Sequence, residues 1–265
     1  MTHEDSTRVL VERRDGVATV ILNRPAQLNP LDRITVSELL DAVRQLDLEP
    51  EIKIVVLRGA GKAFSAGGDL DGYLGLYRAP DEFLTFLRNF NHLLETIERS
   101  DKIYIAVVQG HAVAGGVELM LACDIVVVAS EARIADGHLN FGQLPGAGGS
   151  QRLARTVGPL YAKMLILTGR GIDGKEAERK GLASLAVPAA ELDATVDGLI
   201  ADLQQKSALG LRGAKYLVNT GALGSRDAAL ELELRYVHNY ATTSHDAYEG
   251  LLAFKEGRKP AMKDA

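Results

Sequence analysis

A chain of 265 residues suits one large domain, and 46% hydrophobic with 25% charged residues excludes disordered and fibrous classes. Thirty basic against 35 acidic side chains give a net charge of -5, so no global basic field serves nucleic acid or an anionic membrane. The sole cysteine, Cys123, excludes a disulfide framework and any multi-thiolate metal site.

The first residues are polar and carry acids, unlike a targeting peptide, and runs such as 125–129 are too short to span a bilayer. The cytoplasm is the expected compartment. Segments 8–13 and 17–23 read as strands around Asp15-Gly16, a hairpin signal. Over 35–48, Val36, Leu39, Leu40, Val43 and Leu46 recur at helical spacing, and the β-branched run 52–57 reads as a buried strand. The pattern then repeats: an amphipathic helix over 81–99, a strand over 103–108, a short helix over 115–122 and a strand over 125–129. Such alternation predicts parallel sheet covered by helices.

Beyond residue 150 the chain reads as helical over 151–157, 160–167 and 173–180, the last opened by Asp173 and Glu176 as a capping box. A final strand is expected within 182–187. Helices follow over 191–205, 209–219, 225–242 and 245–254. This last third lacks a core of its own, so it is expected to pack on something else, such as another subunit. The expected division is a core of residues 1–195 and a helical region of 196–265.

Three glycine loops, at 62–70, 110–118 and 144–152, hold the candidate chemistry, because strand-end loops can present backbone N–H groups to a ligand. The GxxxxGK match at 169–175 fails as a phosphate loop, since Glu176 stands where Ser or Thr is required. The 146–151 loop lacks the third glycine of a dinucleotide fingerprint. Ser65 in AFSAG resembles a loosened nucleophile elbow, but that motif needs its serine directly after a strand, which is expected to end near residue 58. In the second loop, Gly115-Gly116 opens a helix after a turn, leaving backbone donors free for a developing oxyanion. Glu118 in that first turn either meets the ligand or simply complements the helix dipole.

Taken together, LNRPAQLN (22–29), KAFSAGGDL (62–70), GHAVAGGVELMLACD (110–124), LPGAGGSQRLARTVG (144–158), AERKGLA (177–183) and AFKEGRK (253–259) resemble the signatures of the enoyl-CoA hydratase/isomerase, or crotonase, family. The resemblance implies an α/β fold, a spiral of ββα units with a helical C-terminal trimerisation region, assembled as a homotrimer or a dimer of trimers. It implies an acyl-CoA substrate, with coenzyme A entering as part of that substrate and no permanently bound cofactor. The thioester oxygen would be held by the N–H groups of Ala66 and Gly115. Ala26, Gln27, Leu28, Ala63 and Ala66 fall where the family cradles adenine and pantetheine, with Gly68, Asp69 and Leu70 completing the loop. Phe254, Arg258 and Lys259 resemble tail residues that enclose CoA, often from a neighbouring subunit. Arg24 and Lys62 are further candidates for its phosphates. The segment 70–80, with Tyr73 and Tyr77, would shape the acyl pocket.

Hydratases of the family use two glutamates. Glu118 matches the first, but the second position falls on His138. Imidazole titrates near 6.5 against about 4.3 for glutamate, so this departure changes the proton chemistry available near neutrality. The expected reaction is addition of water to an α,β-unsaturated acyl-CoA, with Glu118 and His138 moving protons. Double-bond isomerisation, hydrolysis of a β-dicarbonyl carbon–carbon bond through His138, and non-catalytic acyl-CoA binding are the alternatives.

Overall fold

A computed structural model describes residues 7–264; residues 1–6, His3 among them, and 265 lie outside the described residues. The chain begins with the expected hairpin, β1 (Val9–Arg14) antiparallel to β2 (Val17–Leu22). Asp15 and Gly16 both take positive φ, 50° and 78°, the geometry of a two-residue turn that matches strand twist. After α1 (Arg33–Asp47), capped by the Asp32 carboxylate on the Thr35 N–H, the chain enters three similar units.

Each unit is a long strand followed at once by a short one. β3 (Ile54–Gly59) leads to β4 (Ala63–Ser65), then α2 (Leu70–Leu76) and α3 (Pro80–Arg99). β5 (Ile103–Val108) leads to β6 (His111–Val113) and α4 (Gly115–Leu121). β7 (Ile125–Ala129) leads to β8 (Arg133–Ala135), a 3-10 turn over His138–Phe141, α5 (Gly149–Val157) and α6 (Pro159–Thr168). The long strands build a six-stranded sheet completed by β10 (Leu185–Val187), in the order β1-β2-β3-β5-β7-β10 and parallel beyond the hairpin. The short ones build a second sheet, β4-β6-β8 with the antiparallel β9 (Ile172–Asp173). This stack of strand pairs with outer helices is the expected spiral.

The large sheet is covered on both faces, which is why its strands read as unbroken apolar runs. Val55, Leu57, Tyr104, Ala106 and Val128 join the main core with Leu39, Leu46, Phe90 and Leu94 of α1 and α3. Ile54, Val56, Ile105, Val107 and Val127 face Leu192 and Val196 of α8 (Leu192–Gln204). Each such side chain, fully buried, contributes about 1.5–3 kcal/mol. The division expected after residue 195 therefore falls inside a helix that packs on the sheet.

The remaining helices are α7 (Gly174–Arg179), α9 (Ala208–Gly221), α10 (Arg226–Thr243) and α11 (His245–Glu256). At α7 only the forward half of the capping box forms: Asp173 accepts from the Glu176 N–H, while the Glu176 carboxylate accepts from Tyr161 Oη instead. α9 is pinned to the core by Lys215, whose Nζ donates to the carbonyls of Ile97 and Lys102 and pairs with Asp124 at 2.9 Å. α10 buries no residue against its own chain and exposes Leu230, Leu234 and Val237.

The four short strands were not expected. At two or three residues each they are too brief to show a period, and β4 and β6 lie inside glycine loops. β4 also ends on Ser65, so a strand does precede that serine directly. The elbow reading still fails: Ser65 is fully buried, and its hydroxyl donates to the Asn29 carbonyl while accepting from the Gly67 N–H.

Candidate active site

The ends of β4 and β6 set two loops side by side. A methyl group on Gly67 would lie 3.2 Å from the Gly115 nitrogen, and one on Gly116 would lie 2.5 Å from the Ser65 carbonyl, so only glycine permits the loops to touch. Segment 25–31 clamps the first loop. Pro25 packs on Gly61, Asn29 Nδ2 donates to the carbonyls of Ala60 and Ala63, and the Leu31 N–H donates to Gly67 O.

That clamp corrects one expectation. The Ala66 N–H is already committed to the Leu28 carbonyl at 2.9 Å, so it is not free to hold a substrate oxygen. Among the described residues, the Gly68 and Gly115 amides donate to no protein acceptor, and neither do those of Asp69 and Gly116 that follow them. Ala114, just before Gly115, adopts φ 50° and ψ -116°, a conformation costing a non-glycine residue about 1–3 kcal/mol. Its own N–H still pairs with Ala135 O of β8, so the distortion turns the Gly115 amide out of the β6 ladder.

Glu118 follows on α4 and is 2% exposed. Its Oε1 accepts from the Ala147 and Gly149 N–H groups at 2.9 and 2.8 Å. The 145–149 loop presents those donors because Asn91 Nδ2 holds the Gly146 carbonyl and Arg152, paired with Glu98, holds that of Ala147. Oε2 faces His138 Nε2 across 3.9 Å. His138 starts the 3-10 turn, reached through Gly137 at φ 66°, and its Nδ1 lies 3.2 Å from Asp136 Oδ1. Burial drives the Glu118 carboxyl above its ordinary range, against the pull of His138 and the two N–H groups. Burial lowers His138, but Asp136 and Glu118 outweigh it and hold the imidazole above its ordinary value. One imidazole thus stands between two buried carboxylates.

Residues 12–265 match the family model described as enoyl-CoA hydratase/isomerase. The chain belongs to that family. It is 38% identical over 260 residues to a probable enoyl-CoA hydratase of Mycobacterium tuberculosis, covering 98% of each chain. It is 33% identical over 252 residues to a crotonyl-CoA hydratase of Syntrophomonas wolfei, covering 95% of this chain and 96% of the relative. The crystal structure of an enoyl-CoA hydratase from Bacillus anthracis superposes with a TM-score of 0.92 at 32% identity, covering 98% of this chain and all of that one.

The other family positions fall into two groups. Ala26, Gln27 and Leu28 form an exposed turn beside the 61–66 loop, with Ala63 buried beneath it. Asp69 caps α2 through the Gly72 N–H, and Leu70 opens that helix half exposed. Tyr73 reaches back from α2 to Gly68, where an added methyl would meet its hydroxyl at 2.4 Å, and its phenol is raised by burial and by Glu118. Tyr77, Phe83 and Phe86 pack around it. Far along the chain, no hydrogen bond or ion pair among the described residues joins Phe254, Arg258 or Lys259 to these loops within one subunit. Arg258 pairs instead with Glu249 and Glu256, and Arg24 with Asp32. His111 is exposed on β6, and Asp124 orients α9 and β5 through Lys215 and the Tyr104 N–H.

The sequence did not point to Ala147 and Gly149 as the Glu118 clamp, or to Asp136 as more than a neighbour of His138. A loop rich in glycine signals free amides, but which side chain they meet depends on residues 30 positions away.

Proposed function

We propose that the chain is an enzyme of the hydratase type that adds water across the double bond of an α,β-unsaturated acyl-CoA. The observation that carries this reading is the Glu118 carboxylate, fixed by two backbone donors on one oxygen and facing imidazole with the other, next to two uncommitted loop amides. In the reaction, Glu118 takes a proton as water oxygen bonds to the β-carbon. The displaced electron pair moves onto the thioester oxygen, where the Gly68 and Gly115 N–H groups receive it. Loss of one such donor typically costs about 2.7–4 kcal/mol. His138 gives its Nε2 proton to the α-carbon, and the proton on Glu118 returns to His138, so the site is restored.

Coenzyme A enters with the substrate, along the 25–28 turn and the 61–66 loop. The exposed leucines and valine of α10, at spacing 230, 234 and 237, support assembly into a trimer or a dimer of trimers. Phe254, 88% exposed, and Lys259 are then available to a neighbouring site. No helix among the described residues is long and apolar enough to cross a membrane, and a lone cysteine fits a reducing compartment such as the cytoplasm.

Incubation with crotonyl-CoA tests the reading. Expected is loss of enoyl absorbance with formation of the 3-hydroxyacyl-CoA. Cleavage of a cyclic β-diketone without any hydration would replace it with carbon–carbon hydrolysis. Absence of α-deuterium exchange across many thioesters would leave only a binding protein.

A further inference from the structure

We propose that Asp136 is the positioning residue of this site: its carboxylate holds the His138 ring so that Nδ1 is protonated and Nε2 points at Glu118, keeping His138 an imidazolium proton donor. The inference rests on the hydratase reading and concerns a residue that does not touch substrate.

Three observations converge on it. Asp136 is 2% exposed, at the end of β8, and makes no directed hydrogen bond among the described residues. Its Oδ1 and His138 Nδ1 are both buried atoms without a directed partner, yet they face each other across 3.2 Å. Buried polar atoms are rarely left unmatched, and a small rotation gives both a partner if the proton sits on Nδ1. Finally, Gly137 between them takes φ 66°, and a methyl there would lie 3.0 Å from Val113 Cγ1, so the turn that folds His138 back over Asp136 is specific to glycine.

The chemistry needs this arrangement. A neutral imidazole is a poor acid toward carbon, so donation to the α-carbon requires the charged ring. Burial alone would discharge it near neutrality. Glu118 contributes an opposing charge, but it cannot serve both as the base and as the fixed counter-ion of the acid. Asp136 is the charge that stays. The groups facing His138 are Asp136 and Glu118, and those acting on Glu118 include Tyr73 from α2 and Arg152 from α5. Of these only Asp136 approaches Nδ1.

Asp136→Asn keeps the shape and removes the charge. On crotonyl-CoA, kcat should fall about 10²-fold, the lower end of what a positioned acid supplies, with KM little changed. The limb on which activity is lost as pH rises should move to lower pH, and Asp136→Glu should restore part of the rate. Superimposable pH limbs in the wild type and Asp136→Asn would overturn the proposal. NMR of ring-labelled histidine, with His138 assigned from His138→Gln, reads the linkage without turnover. The wild type should show both ring nitrogens protonated at pH 7, and Asp136→Asn should lose that proton at lower pH. A neutral His138 in the wild type at pH 6 would sink the proposal even if Asp136→Asn failed to fold. If crotonyl-CoA is not hydrated but the NMR result holds, the reaction assignment fails and the positioning role stands.

Discussion

Glu118→Gln separates chemistry from architecture more cleanly than any other change here. A glutamine oxygen can accept both the Ala147 and Gly149 N–H groups at the present 2.9 and 2.8 Å, and its amide occupies the place of Oε2 facing His138. The contour of the site is kept, while the base and with it one of the two negative charges facing His138 are lost. General acid–base groups supply about 10²–10⁴-fold, so kcat should drop by that factor, about 2.7–5.4 kcal/mol of barrier. Stability should move the other way. Burial raises the Glu118 carboxyl, so the folded state favours its protonated form. That preference supports folding fully below the ordinary glutamate value and is lost as pH rises through the raised one. Glutamine never suffers the loss, and thermal unfolding at pH 8 should occur at or above the wild-type temperature. Crotonyl-CoA hydration and a melting curve on the same preparation read both effects. Wild-type-like turnover by the variant would refute the assignment of Glu118 as the base; a large fall in melting temperature would show that its carboxylate is held for structure.

Other substitutions probe the supporting parts. Gly149→Ala would place a methyl 2.8 Å from Glu118 Oε1 and 3.1 Å from Pro145 Cβ, so the carboxylate must leave its two donors; stability should drop by about 1–3 kcal/mol with a loss of kcat, measured by urea titration and turnover. Lys215→Met strips Asp124 of its cation and leaves the Ile97 and Lys102 carbonyls unbonded, a change expected to cost about 3–5 kcal/mol in denaturant unfolding. At the tail, Arg258 and the Ala261 N–H pull the Glu249 carboxyl down to about 2, so its contribution is present above the ordinary glutamate value and lost as pH falls toward 2. Amide exchange over residues 257–264 should therefore speed up in acid before the core strands open.

Elements long enough to show a period were legible. The hairpin, α1, α3, β5 and β7 follow from apolar spacing and turn residues alone, because each buries one face or both against a neighbour. The second sheet was not legible. β4, β6 and β8 exist because each continues the path of a preceding long strand and finds a parallel partner from another unit, a property of the three-dimensional repeat. The same holds for the capping box at α7, where Tyr161 from α6 outcompetes the local partner of Glu176.

The difference between Ala66 and Gly68 shows where motif reading stops. KAFSAGGDL says that a loop of small residues will bring backbone donors to a ligand, and both residues lie in it. Which amide remains free is decided from outside. Leu28 and Asn29 sit at positive φ, 61° and 57°, and that turn aims the Leu28 carbonyl at the Ala66 N–H and the Asn29 carbonyl at the Ser65 hydroxyl. Gly67 then donates to Ser65 Oγ, so successive amides are consumed until Gly68. On the proposed reading, the sequence LNRPAQLN does two jobs: it would offer a surface for the substrate's carrier, and by saturating the preceding donors it leaves the Gly68 amide for the oxyanion. A change at Asn29 that broke this register would free the wrong amide while leaving every residue of KAFSAGGDL in place. Asn29, 1% exposed and bonded to three backbone groups, is as necessary to the proposed oxyanion site as the glycines that would form it.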